Sequence, residues 1–147
     1  MPGISLLNRQ RARTIDLRPL SRFAQHALEK VEALERTALP AEIVTVLVSD
    51  RRISAMHLQF MQIAGPTDVI TFQHGEIIIS VETAHRQATQ LGKELLPELC
   101  LYLLHGLLHL AGYDDTTDYG IQEMRRLQRR LMREIGSTFD KRSRSQI

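Results

Sequence analysis

The sequence predicts a single α+β domain, a small mixed β-sheet of about four strands packed with about five helices. Three observations predict it. Short β-branched runs, EIVTVLVS, DVITFQ and EIIISV, lie among longer runs whose apolar residues recur at helical spacing. Strands and helices follow in irregular order, which suits an α+β or irregular α/β arrangement with a mixed sheet. The 147 residues amount to about one domain, with no repeat, low-complexity block or Pro/Gly/Ser linker before the last dozen residues.

Each element has its own signal. Residues 3–8 read as a first strand. After Pro19, the positions Leu20, Phe23, Ala24, Ala27, Leu28, Val31 and Leu34 give an amphipathic helix. EIVTVLVS is short and β-branched, a central strand. Ser49 and Asp50 can cap a second helix carrying Ile53, Met56 and Phe60, ended by Gly65-Pro66. DVITFQ and EIIISV form a hairpin about His74-Gly75. Ser80 can cap a helix ending at Gly92, and Pro97 suits the first turn of the next, which runs to Gly112. Asp118 can cap a last helix, with Ile121, Met124, Leu127, Leu131 and Ile135 as its buried stripe. The last residues, about 137–147, are expected to form a flexible tail.

Composition narrows the function classes. A hydrophobic fraction of 43% with 24% charged residues is that of a globular domain, and 5% aromatic residues with no Trp makes its core aliphatic. The one cysteine, Cys100, forbids an internal disulfide and sits among leucines as a small hydrophobe. The longest apolar stretch, LLPELCLYLLHGLLHLAG, is broken by Glu98 and two histidines, so it reads as a core helix rather than a membrane span. The N-terminal MPGISLLNRQRARTIDLRP has no uninterrupted apolar region and is expected to be a strand, not a secretory signal. A cytoplasmic protein is expected. Net charge +2 and a pI near 9.0 permit an acidic partner such as nucleic acid without demanding one.

The chemistry concentrates in HGLLHLAGYDD, residues 105–115. Residues four apart on a helix lie one above the other, so His105 and His109 can aim their imidazoles at one point. Gly112 permits the left-handed residue that ends a helix and lets the chain bring an aspartate, Asp114 or Asp115, to the same point. Two imidazoles and a carboxylate suit zinc and leave a fourth position open. A helical His pair can equally be a hydrogen-bonded core pair. Zinc peptidases of the H-E-x-x-H type need a Glu directly after the first His, where this chain has Gly106, so proteolysis by that route is disfavoured. Hydrolysis of a phosphodiester, RNA above all, stays open.

These residues resemble the YbeY endoribonucleases of bacterial ribosomal RNA maturation. HGLLHLAGYDD matches their H-G-x-L-H-L-x-G-Y-D-H at every specified position but the last. PTDVITF is similar to the family's P-T-D-V-L-S-F, and GEIIIS to its G-D-I-x-I-S. The resemblance runs from about the central strand onward; the N-terminal third is similar only in its pattern of elements. It implies a mixed sheet with surrounding helices, one divalent metal, first of all zinc, and cleavage of single-stranded ribosomal RNA during ribosome assembly. The implied ligands are His105, His109 and Asp115, and the implied partners are RNA, rRNA in particular, and ribosomal proteins. No further catalytic residue is assigned.

The chain departs from the family twice. Asp115 stands where the family has a third histidine, and a carboxylate donates charge that weakens Lewis acidity and welcomes harder metals such as manganese or iron. Met61 stands where the family carries an arginine for the RNA phosphate, and Arg51, Arg52 and Arg86 are the candidates to replace it. Asp114 is expected to hold a ligand imidazole in its tautomer or to form the turn. His57, His74 and His85 read as surface or hydrogen-bonded residues, Thr67 and Asp68 as turn residues, and Glu76 and Glu82 as solvated acids. The arginines of the last helix read as a solvated face, with RNA contact as the alternative. Two other readings follow from these departures: a catalytically weakened member that binds the ribosome or rRNA, and a metal-dependent hydrolase of another ester or amide.

Overall fold

The computed structural model describes residues 2–145, with side chains described for 2–136. The flexible tail expected over about 137–147 lies outside the residues whose side chains are described. The elements are β1 (Gly3–Asn8), α1 (Leu17–Glu32), β2 (Glu42–Val48), α2 (Asp50–Met61), β3 (Val69–Phe72), β4 (Glu76–Ser80), α3 (Val81–Gln90), α4 (Leu95–Leu110) and α5 (Asp118–Ser145). The sheet order is β1-β2-β4-β3. β1, β2 and β4 are parallel, and β3 pairs antiparallel with β4 as the edge strand, Phe72 opposite Glu76. This is the mixed four-stranded sheet with five helices that the sequence predicts.

The period of the strands divides the core between two faces. On one face Ile43, Leu47, Ile77 and Ile79 pack with α1, α3, α4 and α5 in the main cluster. On the other, Val48, Ile70 and Ile78 meet Ile53 of α2. α4 runs through the middle: Leu99, Leu103, Leu104, Leu107 and Leu108 are all buried, against α1, α3, α5, β3 and β4. A helix apolar nearly all round is a buried helix, and its few polar side chains mark where it reaches the surface. No helix among the described residues is long and apolar enough to cross a membrane.

Three element readings change, the first being that α2 stops at Met61, with Gln62 left-handed at φ 59°, ahead of Gly65-Pro66. α1 begins at Leu17, ahead of Pro19, because the Asp16 side chain caps it by accepting from the Arg18 N–H at 3.1 Å. Pro19 falls inside the first turn, where a missing N–H leaves no bond unmade. On α2, only Ile53 is buried, while Phe60 is 54% exposed. This helix lies alone on the outer sheet face, so its apolar stripe is only partly covered.

The joint of α2, β4 and α3 is polar. The Asp50 carboxylate accepts from Ser80 Oγ at 2.6 Å, Thr83 Oγ1 at 2.7 Å and Arg86 Nη1 at 2.5 Å. Burial opposes its ionisation, but these donors outweigh burial and hold its pKa below the usual carboxylate value. Glu82 also takes part, accepting from the Asp50 backbone N–H at 3.0 Å.

Candidate metal centre

The leucines of α4 point into the core, and the stripe that remains carries His105 and His109 to the surface of the helix. Gly106 between them is a packing residue. A Cβ at this position would lie 2.6 Å from Ile77 Cγ2, so α4 sits on β4 at a distance only glycine permits. No glutamate fits after the first histidine. At the far end Gly112 adopts φ +95°, Gly112 N–H donates to His109 O, and Tyr113 N–H donates to Leu108 O, both at 3.0 Å. This left-handed stop reverses the chain. Asp114 then fastens the turn, its carboxylate accepting from the Thr116 N–H and hydroxyl, each at 3.0 Å. Asp115 is delivered back beside the two rings.

The Nε2 atoms of His105 and His109 lie 2.9 Å apart, and Asp115 Oδ2 lies 3.5 Å from the first and 3.7 Å from the second. These three residues form the candidate ligand group. An ion with bonds of about 2.0–2.2 Å in tetrahedral geometry needs ligand atoms about 3.3–3.6 Å apart. The observed triangle brackets that span, and the donor set of two imidazoles and a carboxylate fits a divalent cation.

The electrostatics of His109 agree. Burial, then the neighbouring His105, push the His109 pKa down, against the carboxylates of Asp115 and Asp114 and a hydrogen bond at the Tyr113 backbone. On the other ring, His105 Nδ1 donates to Gln128 Oε1 at 2.6 Å. A neutral ring that donates from Nδ1 presents a bare lone pair at Nε2, the atom facing His109 and Asp115.

A cleft of about 360 Å³ opens over this triangle, walled by Met61, Thr67, Asp68, Thr71 and Gln73 as well as the three ligands. Its upper lip is β3, the antiparallel edge strand. Met61, which the sequence count sets at the position of the family's arginine, stands in the cleft wall. Arg51 and Arg52 are exposed on the first turn of α2, Arg86 is tied to Asp50, and none of the three lines the cleft. Asp68 accepts from the Val69 N–H at 2.8 Å and keeps the turn role expected of it. The hydrogen bonds of Asp114 go to Thr116, so the imidazole is oriented by Gln128 instead, although the charge of Asp114 still acts on His109. His57 bonds the Gly65 carbonyl, His74 pairs with Glu76 and His85 with Arg13, all away from the triangle.

Sequence reasoning missed Gln128, yet the signal was present. Ile121, Met124, Gln128, Leu131 and Ile135 follow the buried spacing of α5, and one amide interrupts an otherwise apolar stripe.

The fold is an α+β domain whose central helix and following turn gather two imidazoles and a carboxylate beside an open cleft. Residues 5–136 match the family described as Endoribonuclease YbeY, and the chain belongs to that family. A Heliobacterium modesticaldum protein named Endoribonuclease YbeY is 34% identical over 127 residues, covering 70% of this chain and 76% of its own. One of the same name from Anaeromyxobacter is 36% identical over 131 residues, covering 80% and 68%. A solution structure of a Thermotoga maritima protein superposes with a TM-score of 0.67 at 26% identity, over 95% of this chain and 93% of the other.

Proposed function

We propose that the protein is a metal-dependent endoribonuclease that cleaves single-stranded RNA in ribosomal RNA maturation, in the cytoplasm, in contact with ribosomal proteins. The observation that carries this reading is the His105, His109 and Asp115 triangle at the floor of an open, polar-walled cleft in a YbeY-family chain. Zinc is the first candidate ion for two imidazoles and a carboxylate, with manganese or iron favoured more by Asp115 than by a third histidine. A divalent ion there supplies Lewis acidity, which activates water and stabilises charge on a phosphoryl oxygen.

The chain's own groups do the rest. Gln128 keeps the His105 lone pair directed into the cleft, and burial with the neighbouring His105 lowers the His109 pKa, which favours the neutral ring a metal needs. Thr67, Thr71 and Gln73 offer hydroxyl and amide groups that can hydrogen-bond sugar, phosphate or base edges without fixing a sequence. Exposed Arg51 and Arg52, with the half-exposed guanidinium of Arg86, add phosphate contacts outside the cleft.

The test supplies single-stranded RNA to the purified, metal-loaded protein and to His109→Ala. Cleavage by the parent and its loss in the variant are expected; equal cleavage by both would remove the reading. A second reading, an RNA-binding member with weakened cleavage, is favoured by Asp115 and Met61. It predicts RNA binding without turnover, restored in part by Asp115→His.

A further inference from the structure

Among the described residues no lysine or arginine lines the metal cleft, although an RNA strand brings one negative charge per nucleotide to it. The cleft does not end at His105. It continues into a hollow of about 280 Å³ that shares His105, Asp68 and Val69 with it. That hollow runs on into a groove of about 570 Å³ between the start of α4 and α5, the two sharing Lys93, Glu98, Leu101 and Gln128. Leu101 and Met132 give the groove an apolar floor, and its walls carry Arg125, Arg129, Arg133 and Lys93.

Two other arginines of the neighbourhood are paired, and Arg126 lies outside this groove. Arg130 is paired with Glu134 and Arg36 with Glu123. Arg125, Arg129, Arg133 and Lys93 are exposed and have no ion-pair partner among the described residues. Spaced four apart on α5, the three arginines stand in one row, and like charges at that spacing destabilise a helix by about 0.2–0.5 kcal/mol per pair. An ordinary solvated face alternates signs and avoids this cost. Among the described residues the only acid in the groove wall is Glu98, whose side chain is almost wholly buried.

We propose that this groove holds the sugar-phosphate backbone of the RNA strand whose reacting bond lies over His105, His109 and Asp115, a placement that rests on the nuclease reading above. The strand passes from the metal cleft across Gln128 and along the Arg125, Arg129 and Arg133 row, about 12 Å of helix. Guanidinium forks and the Lys93 ammonium meet phosphates without reading bases, so the contact is sequence-tolerant and weakens with salt. Cationic attraction absent from the cleft itself is supplied next door.

The experiment measures fluorescence anisotropy of labelled oligouridylates of about 4 and about 16 nucleotides over a salt series. It compares the parent protein, the triple variant Arg125→Gln, Arg129→Gln, Arg133→Gln, and a control carrying Arg126→Gln with Arg9→Gln. Expected for the triple variant are a loss of about tenfold or more in affinity for the long oligomer and a fall of about 2 in the salt slope. Binding of the short oligomer, metal content and thermal midpoint should match the parent, and the control should bind the long oligomer as the parent does. Parent-like affinity and slope in the triple variant, or an equal loss in the control, would overturn the proposal. So would a triple variant that keeps RNA but loses polyglutamate, which would make the groove a seat for an acidic protein. The two readings fail separately: parent protein that binds RNA through the groove but never cuts it removes the nuclease alone, and cleavage of long RNA indifferent to the triple variant removes the groove alone.

Discussion

His105 Nδ1 donates to Gln128 Oε1 across 2.6 Å, tying α4 to α5 directly beneath the candidate metal centre. The bond selects the ring tautomer, and losing such a partner typically weakens metal binding by about 10–100-fold. Gln128→Leu should therefore bind zinc about that much less tightly in chelator competition, whereas Gln128→Glu, which still accepts, should bind close to the parent. Equal affinity in Gln128→Leu and the parent would show that the ring needs no such support.

Asp115 and Asp114 separate by their partners. Asp115→Ala should come out of purification without stoichiometric metal by elemental analysis, and Asp115→His should retain it. Asp114→Ala removes the two bonds from Thr116 to an exposed carboxylate, a loss of about 1 kcal/mol for each. It should lower the thermal midpoint and activity more than metal occupancy. Metal loss in Asp114→Ala alone would exchange the two roles.

The Asp50 joint gives the fold an acid-sensitive component. Its folded pKa lies below the unfolded value, so its stabilisation is complete above an unfolded value near pH 3.9 and disappears as pH falls through the folded value. Asp50→Asn should lower stability at neutral pH by about 1–3 kcal/mol and flatten the decline in acid, as read from urea midpoints across a pH series. Parallel declines in the two proteins would exclude Asp50 as the source.

Burial pushes the Cys100 thiol up to about 12. At pH 8 almost none of it is thiolate, the reactive form. An Ellman-type reagent should leave the folded protein unmodified over hours and titrate one thiol in denaturant. Rapid reaction of the folded protein would mean that α4 opens.

Gly106→Ala tests how closely α4 sits on the sheet. The added methyl meets buried Ile77, and overpacking of this kind costs about 1–3 kcal/mol, more than the helix-propensity gain of about 1 kcal/mol returns. Combining it with Ile77→Ala should recover part of the loss in urea unfolding, a coupling absent if the two residues do not touch.

Most of the fold was legible because local signals and burial agree in it. Ser49 and Ser80 cap the helices they precede, the hairpin turns at His74-Gly75, and α4 stops at Gly112. The metal triangle was legible for the same reason, since helical spacing and a left-handed stop are local. What was not legible depends on contacts between distant segments. The Asp50 network joins residues thirty or more apart, Gln128 reaches His105 from another helix, and the arginine row matters only because α4 forms the opposite wall. Phe60 looked like core because its spacing is right, but it meets Phe72 edge-on at the margin of the sheet and stays 54% exposed.

The seating of Gly106 on Ile77 also limits what descendants of this scaffold can become. Amide hydrolysis of the H-E-x-x-H kind needs an acid at position 106 to shuttle a proton to the departing nitrogen, and the sheet beneath leaves no volume for one. Acquiring proteolysis would require lifting a whole helix from its bed rather than exchanging one side chain. Drift toward other esters, by contrast, needs only new residues along the β3 lip, where the wall is open.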